Sequence, residues 1–441
     1  MIKLKSNDKL IQAYNKLYKL CVNLVSFLTS PIWLYRNSYS KPSALLYYLA
    51  YGNVIGNIKY TMAYHVKHAR DIPIRVLTPS YTDHVDKLEK LGIPVCLEST
   101  KCENQFLRDS AMLIVMFTAW TNGGKYWRFL GKPVLQLWHG VGIKNVGLLT
   151  VLDGHKGGIY KSIKLLYSLL RQSITSTWTL STSPFYTYAW FGRLFITSSG
   201  VIELGNYPRN DIFFLSDEEI KEMFDERIYN IGIDHESLKR IREEKRKGKR
   251  VVLLAFTYRE GHQYDKSVYY ERLTPQYLAT VAEKYGIFFV MKLHPWDEAV
   301  FSSNLGLDIE RYSEHMIVYG SGQVSDIQPL LREVDALVTD YSSVYADFTL
   351  MPSKPIVFYP YDYEEYMSKG TLCFPYDLVT PGPKIRDREE LFEVLYEMLR
   401  GKDEYYRDRV KFSKLAFKRH DVVSPLLFKF IRWALKKKGY M

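Results

Sequence analysis

From residue 57 onward, stretches with helical spacing of apolar side chains alternate with short, continuous apolar runs. Ile58–His68 predicts a helix, broken by Asp71-Ile72-Pro73, and Ile74–Leu77 a strand. A short helix follows over 83–91, and strands follow at Pro94–Leu97, Met112–Phe117, Val134–Trp138 and Trp178–Ser181. The run "HESLKRIREEKRKGKR" (235–250) is nearly devoid of apolar residues and marks the approach to a second domain, as a linker or a solvated helix face. Beyond it, strands are predicted at Val251–Phe256, Ile287–Leu293, Ala336–Thr339 and Pro355–Tyr359. Helices are predicted at Pro275–Tyr285, Ser325–Glu333 and Val344–Leu350. Strands spaced by about one helix each imply parallel sheets with βαβ crossovers. The expected class is therefore α/β, with two Rossmann-like halves in tandem and a cleft between them. Neither half carries GxGxxG, so a dinucleotide cofactor has no support.

Two other segments are amphipathic. Residues 9–28 carry Leu10, Tyr14, Leu17, Cys21, Leu24 and Leu28 on one side and Lys9, Lys16 and Lys19 on the other. Residues 160–174 place Ile163, Leu166, Tyr167, Leu170 and Ile174 opposite Lys161, Lys164 and Arg171, and an aromatic-rich run follows. Each reads either as a helix packed on the core or as an interfacial helix on an acidic membrane. The C-terminal "KFIRWALKKKGYM" is a further basic, aromatic segment. The expected organisation is an amphipathic segment (1–40), a first Rossmann-like domain (41–235) with a membrane-associating region at about 155–200, a second (236–420) and a basic helix (421–441).

Composition narrows the partners. Lys plus Arg number 60 against 48 Asp plus Glu, a net charge of +12 that suits anionic partners. Nucleic acid is suggested by charge alone, without an RNP, zinc or helix-turn-helix signature. The 36 tyrosines suit surfaces where one end of a side chain is wet and the other apolar. The four cysteines form no metal knuckle and no CxxC, which predicts a reduced, cytosolic chain without a disulfide framework. No stretch reaches 18 uninterrupted apolar residues, and no small-residue cleavage site follows Leu17–Tyr35, so neither a transmembrane helix nor a secretory signal is expected.

Chemistry concentrates at strand ends, where open α/β sheets place their sites. In "LQLWHGVGIKNVG" (135–147) a core strand ends on His139 and turns through Gly140, Gly142 and Gly147. A histidine there is either a core residue beside a turn or a catalytic group. In the second half, one strand ends in Thr257-Tyr258-Arg259-Glu260, the next in Lys292-Leu293-His294-Pro295, and the third in Thr339-Asp340-Tyr341-Ser342-Ser343. Ser342 or Ser343 is expected to cap the following helix, whose N-terminus is a potential anion site. Lys292, His294 and Arg259 at neighbouring strand ends would be unpaired positive charge unless they converge on a phosphate.

In order along the chain, "NIKY" (57–60), "LWHGVGIKNVG" (137–147), "GNYPRND" (205–211), "FTYRE" (256–260), "KLHP" (292–295), "DIQPLLREVDALVTDYSSVYADF" (326–348), "KPIVFYPYDYEEY" (354–366) and "TPGP" (380–383) resemble the CDP-glycerol glycerophosphotransferase family, which primes or polymerises teichoic acid. The resemblance covers roughly residues 45–400 and is most specific over 326–366. It implies a GT-B fold, with the CDP-linked donor in the C-terminal domain and the acceptor in the N-terminal one. The chain departs from the family at Val141-Gly142, usually Thr-Pro, and at Glu260, usually Asp. The donor polyol, glycerol, ribitol or another, is left open.

The resemblance implies that His139 is a general base for an acceptor hydroxyl, which attacks the distal phosphorus of the donor and expels CMP. His294 would contact the pyrophosphate, and Ser342 and Ser343 would hold phosphates. Arg259 and Lys292 would neutralise developing charge, and Asp347 would face the nucleotide. Gly140 and Gly142 would leave room for a bulky acceptor. Lys144, Arg209, Thr257 and Asp340 complete the expected substrate-binding set. The donor is itself a substrate, so neither cofactor nor metal is expected. The implied partners are CDP-glycerol or a related CDP-polyol, a lipid-linked acceptor and an anionic membrane, with the chain peripheral on the cytoplasmic face. The alternatives are a GT-B glycosyltransferase or epimerase using a UDP-sugar, and a non-catalytic membrane-associated binding protein.

Overall fold

The computed structural model describes residues 21, 24–117, 125–146, 162, 176–192, 200–257, 259, 268, 272–293, 312–320, 326–370 and 372–441. Its first half is a seven-stranded sheet of order β3-β2-β1-β4-β5-β6-β7. The strands are β1 Ala44–Tyr48, β2 Ile74–Thr78, β3 Val95–Leu97, β4 Ser110–Val115, β5 Val134–Gln136, β6 Trp178–Ser181 and β7 Gly200–Glu203. The second half is a five-stranded sheet of order β10-β9-β8-β11-β12, from β8 Arg250–Ala255, β9 Ile287–Lys292, β10 Met316–Tyr319, β11 Ala336–Thr339 and β12 Ile356–Phe358. Every pairing in both sheets is parallel. Strand order reverses direction beside β1 in the first sheet and beside β8 in the second, the positions where such sheets open a crevice at their carboxyl ends.

The central strands are buried along their whole length, which is why β1 and β4 read as uninterrupted apolar runs. One buried apolar cluster contains Leu45 of the first sheet, Leu337 of the second and Ile431 of the C-terminal helix Ser424–Lys437. That helix returns to the first half. Asp211 accepts from the backbone N–H groups of Val423 (2.8 Å) and Ser424 (2.9 Å), and Phe428 packs on Tyr64 and His65. The apolar side of this basic, aromatic segment packs on protein: Leu427, Phe428, Ile431 and Leu435 are buried, and Trp433 is the exposed aromatic.

At the N-terminus the chain is helical over 24–28 and over Ser30–Tyr39. One side is tied down, with Asn37 donating to the Arg128 and Leu130 carbonyls (3.0 and 2.8 Å). Leu24, Leu28, Ile32 and Tyr35 are exposed. The predicted helix over 160–174 lies outside the described residues except for Ser162, as does all of 9–20. No helix among the described residues is long and apolar enough to cross a membrane.

The expectation of an all-reduced chain is also corrected. Cys96 on β3 and Cys102 in the helix Lys101–Asp109 are joined by a disulfide, their Cα atoms 5.9 Å apart. The strand turns into the helix through Ser99 at φ +63°, which folds two cysteines six residues apart onto each other.

Candidate active site

His139 sits just past the carboxyl end of β5. The turn begins on Trp138, a non-glycine residue at φ +60°, an uncommon and strained conformation for a bulky side chain. Three side-chain hydrogen bonds hold it. Asn57 Nδ2 donates to the Leu137 carbonyl (3.2 Å) and the Trp138 carbonyl (2.9 Å), and Gln136 Oε1 accepts from the Trp138 N–H (3.1 Å). Asn57 lies in the first turn of the helix Gly56–His68 and is fully buried. Its Oδ1 accepts from the backbone N–H of Arg209 (3.3 Å), so one amide joins two loops.

Arg209 closes the other side. Its Nη1 donates to the His139 carbonyl at 2.7 Å, and its Nη2 pairs with Asp347 of the second half. Asp347 also accepts from Asn210 Nδ2 (3.1 Å) and Gln328 Nε2 (3.0 Å) and is buried. The expectation that Asp347 faces a nucleotide is replaced by this inter-half clamp. The expected room at the glycines is likewise filled. A Cβ on Gly140 would collide with the Arg209 guanidinium, and one on Gly142 with the Trp190 indole. Gly140, at φ +139°, lets Arg209 reach the backbone of the histidine loop.

The His139 ring is open to solvent on one side and backed by Phe117 (stacked, 5.2 Å) and Trp138 (4.3 Å). Desolvation by these walls pushes the imidazole down to about 4, helped by the Arg209 charge and opposed by the Met116 carbonyl. The ring is therefore neutral at physiological pH, with a nitrogen lone pair available to take a proton. Past it, Lys144 Nζ lies 3.4 Å from Thr257 Oγ1 at the end of β8. Ile143 O accepts from the Cys373 N–H (2.9 Å) and Asn145 Nδ2 donates to the Gly370 carbonyl (2.8 Å), so the loop rests on the second half.

At the second sheet's switch point, Asp340 after β11 accepts from the Thr257 N–H (2.8 Å) and from Arg259 Nη2 (2.8 Å). Arg259 also pairs with Asp362 through Nε (2.7 Å) and Nη2 (3.0 Å). Its guanidinium lies 5.1–5.4 Å from the rings of Tyr341, Tyr361 and Tyr366. The premise that Arg259 lacks a partner unless a phosphate supplies one is corrected, because Asp362, just past β12, pairs with it, a contact between residues remote in sequence. Burial works against this charge, but Asp340 and Asp362 outweigh it and raise the pKa. Arg259 is thereby held just past the end of β8. Ser343 stands at the N-cap position of the helix Val344–Phe348, but no side-chain cap bond forms because its backbone is helical rather than extended (φ −67°, ψ −2°). Ser343 is exposed and Ser342 half-buried. Lys292 Nζ lies 3.4 Å from the Leu293 and Gly320 carbonyls. His294 lies outside the described residues.

The strand ends thus bring His139, Gly140, Lys144 and Arg209 together from the first half, and Thr257, Arg259 and Asp340 together from the second. Sequence reasoning missed the residues that orient them: Asn57, Gln136, Gln328 and Asp362. The signal that could have found them is their place in the quoted motifs: Asn57 opens "NIKY", Gln136 lies in "LQLWHGVGIKNVG", and Gln328 and Asp362 lie in the blocks 326–348 and 354–366.

The fold and sequence have known relatives. A solved structure of the wall teichoic acid polymerase TagF superposes with a TM-score of 0.69, 18% identity and 99% coverage of both chains. The teichoic acid ribitol-phosphate polymerase TarK of Staphylococcus aureus (strain NCTC 8325 / PS 47) is 27% identical over 84% of this chain and 64% of its own length. The teichoic acid poly(glycerol phosphate) polymerase of Bacillus subtilis (strain 168) is 28% identical over 60% of this chain and 32% of its own length. The chain therefore spans less than two thirds of these curated relatives. Residues 43–424 match the family model for CDP-Glycerol:Poly(glycerophosphate) glycerophosphotransferase, and the chain belongs to that family.

Proposed function

We propose that this protein transfers a polyol-phosphate unit from a CDP-activated donor to a hydroxyl of a lipid-linked or polymeric acceptor and releases CMP, in the synthesis of a teichoic-acid-like polymer. The observation that carries this reading is a neutral His139 held at a strained strand exit of the cleft, in a chain of this family. His139 accepts the proton of the acceptor hydroxyl as its oxygen bonds to the donor's distal phosphorus. The phosphorus–oxygen bond to CMP breaks, and the leaving phosphate carries the electron pair. Lys144 and Thr257, adjacent across the cleft, supply donors for phosphate oxygens, with Lys292, His294, Ser342 and Ser343 from the second half. Asn57, Arg209 and Asp347 keep the histidine loop in register with that half.

A membrane-bound acceptor fits a protein peripheral to an anionic leaflet on the cytoplasmic face. Exposed Leu24, Leu28, Ile32 and Tyr35 support this reading.

The test is a donor screen. The protein is incubated with CDP-glycerol, CDP-ribitol or UDP-sugars and with acceptor-containing membranes. Acceptor-dependent release of CMP from a CDP-polyol is the expected result. Release of UDP from a UDP-sugar, without CMP release, would assign the chain to sugar transfer or epimerisation. No turnover of any donor would leave it a binding protein.

A further inference from the structure

Beside the junction of the two halves lies a cavity of about 480 Å³ that the proposed reaction does not use. Its floor is apolar, from Ile220, Tyr229 and Leu238, and its rim sets Lys221, Lys239, Arg242, Arg246 and Arg332 against Asp217, Glu226 and Glu333, a net basic balance. The rim has a repeat. His235, Lys239, Arg242 and Arg246 all line the cavity from the single helix His235–Arg246, at successive spacings of four, three and four residues. That spacing puts them on one helical face, over about 16 Å at 1.5 Å rise per residue. Lys221 faces them from the helix Asp217–Met223. Arg242 is committed to Glu333 (2.5 Å) and Asp217 (3.4 Å). Lys221, Lys239 and Arg246 are exposed and make no ion pair among the described residues.

We infer that this cavity is an exosite for the polyol-phosphate polymer itself, distinct from the cleft where transfer occurs. The inference rests on the proposed reaction for the identity of the polyanion. Arg242 and Arg332 are neutralised by Glu333 and Asp217, which leaves Lys221, Lys239 and Arg246 as spaced cations around the rim, and a linear phosphodiester chain, with one negative charge per repeat, can meet several of them at once where a single small anion cannot. The position also fits. Tyr229 of the cavity packs on Tyr60 (6.0 Å) and lies under Lys59 Nζ (5.3 Å). One turn earlier on that helix, Asn57 grips the histidine loop. A chain held in the cavity is therefore one helical turn from the cleft wall. Lys59 is itself paired with Asp326 of the second half at 2.7 Å, so the wall between exosite and cleft is tied to both halves.

The test compares the wild-type chain with a variant carrying Lys221→Glu, Lys239→Glu and Arg246→Glu, all at exposed positions. Calorimetry measures binding of glycerol-phosphate monomer, trimer, hexamer and decamer, or the ribitol series if the donor screen selects ribitol. Wild-type affinity is expected to rise with length and to weaken with salt. The variant is expected to bind the hexamer roughly tenfold more weakly, from the loss and reversal of three charges. Its rate of single-unit transfer to a short acceptor stays at the wild-type level, while its products become shorter. Normal transfer would show that the proposed reaction stands even if the exosite fails. Three results would overturn the exosite: hexamer binding by the variant equal to wild type, wild-type affinity independent of length, or single-stranded DNA of equal charge competing as well as the hexamer. The milder Lys239→Gln, Arg246→Gln pair guards against misfolding and should show the same trend with a smaller loss.

Discussion

Replacing His139 by Ala is expected to lower acceptor-dependent CMP release by about 10²–10⁴-fold, the usual contribution of a general base. Donor affinity, measured by calorimetry in the absence of acceptor, should stay near wild type, because the ring belongs to the half opposite the proposed donor site. The substitution loses the ring's hydrogen bond to the Met116 carbonyl but keeps the bonds from Arg209 and Asn57, which bind backbone carbonyls that alanine retains. A folded variant with near-full turnover would make His139 a structural residue of the turn.

The second large effect is expected at Asp347→Ala. This buried carboxylate accepts from Arg209, Asn210 and Gln328 and ties the two halves together. Removing one partner of a buried ion pair strands the other, at a cost of about 3–5 kcal/mol. Thermal unfolding should shift down by several degrees. Catalysis should also fall, because Arg209 loses its anchor and the His139 carbonyl its fixed donor. Displacement of a reacting group by about 1 Å can cost roughly 10²-fold. Arg209→Lys separates the two roles. It keeps the charge near Asp347 but cannot hold both Asp347 and the His139 carbonyl with one planar fork. Stability should recover more than turnover. Equal recovery of both would reduce the clamp to a stability element.

Much of the fold was legible because buried parallel strands advertise themselves as short apolar runs between helical patterns. Trp178–Ser181 and Ala336–Thr339 coincide with their predicted limits. The misses have physical causes. Strand β1, "ALLYY", lies at the heart of the first sheet, and so short an apolar run is not separated from a buried helix segment by periodicity alone. Strands β7 and β10 are edges, four residues long and largely half-buried, so neither alternation nor a solid apolar block marks them.

The candidate site was legible where chemistry sits on a strand end followed by glycine, as at His139. It was opaque where function depends on partners remote in sequence. Arg259 looks like a free cation until Asp362, 103 residues later, is folded onto it. Gly140 looks like space for a ligand until Arg209 fills it. Asn57 looks like an ordinary polar residue at a helix start until both carbonyls of the strained turn are found on its amide.

The general-base role of His139 is tested most directly by the pH dependence of kcat/KM for CMP release, measured where circular dichroism shows the fold intact. A group whose pKa is lowered in the native protein stays deprotonated further into acid, and a base acts only when deprotonated. With the imidazole pushed down to about 4, the rate should hold level from neutral pH to about pH 5 and then fall, with an apparent pKa near 4. An acid limb at or above the ordinary imidazole value of about 6.5 would contradict a desolvated, neutral His139 as the base.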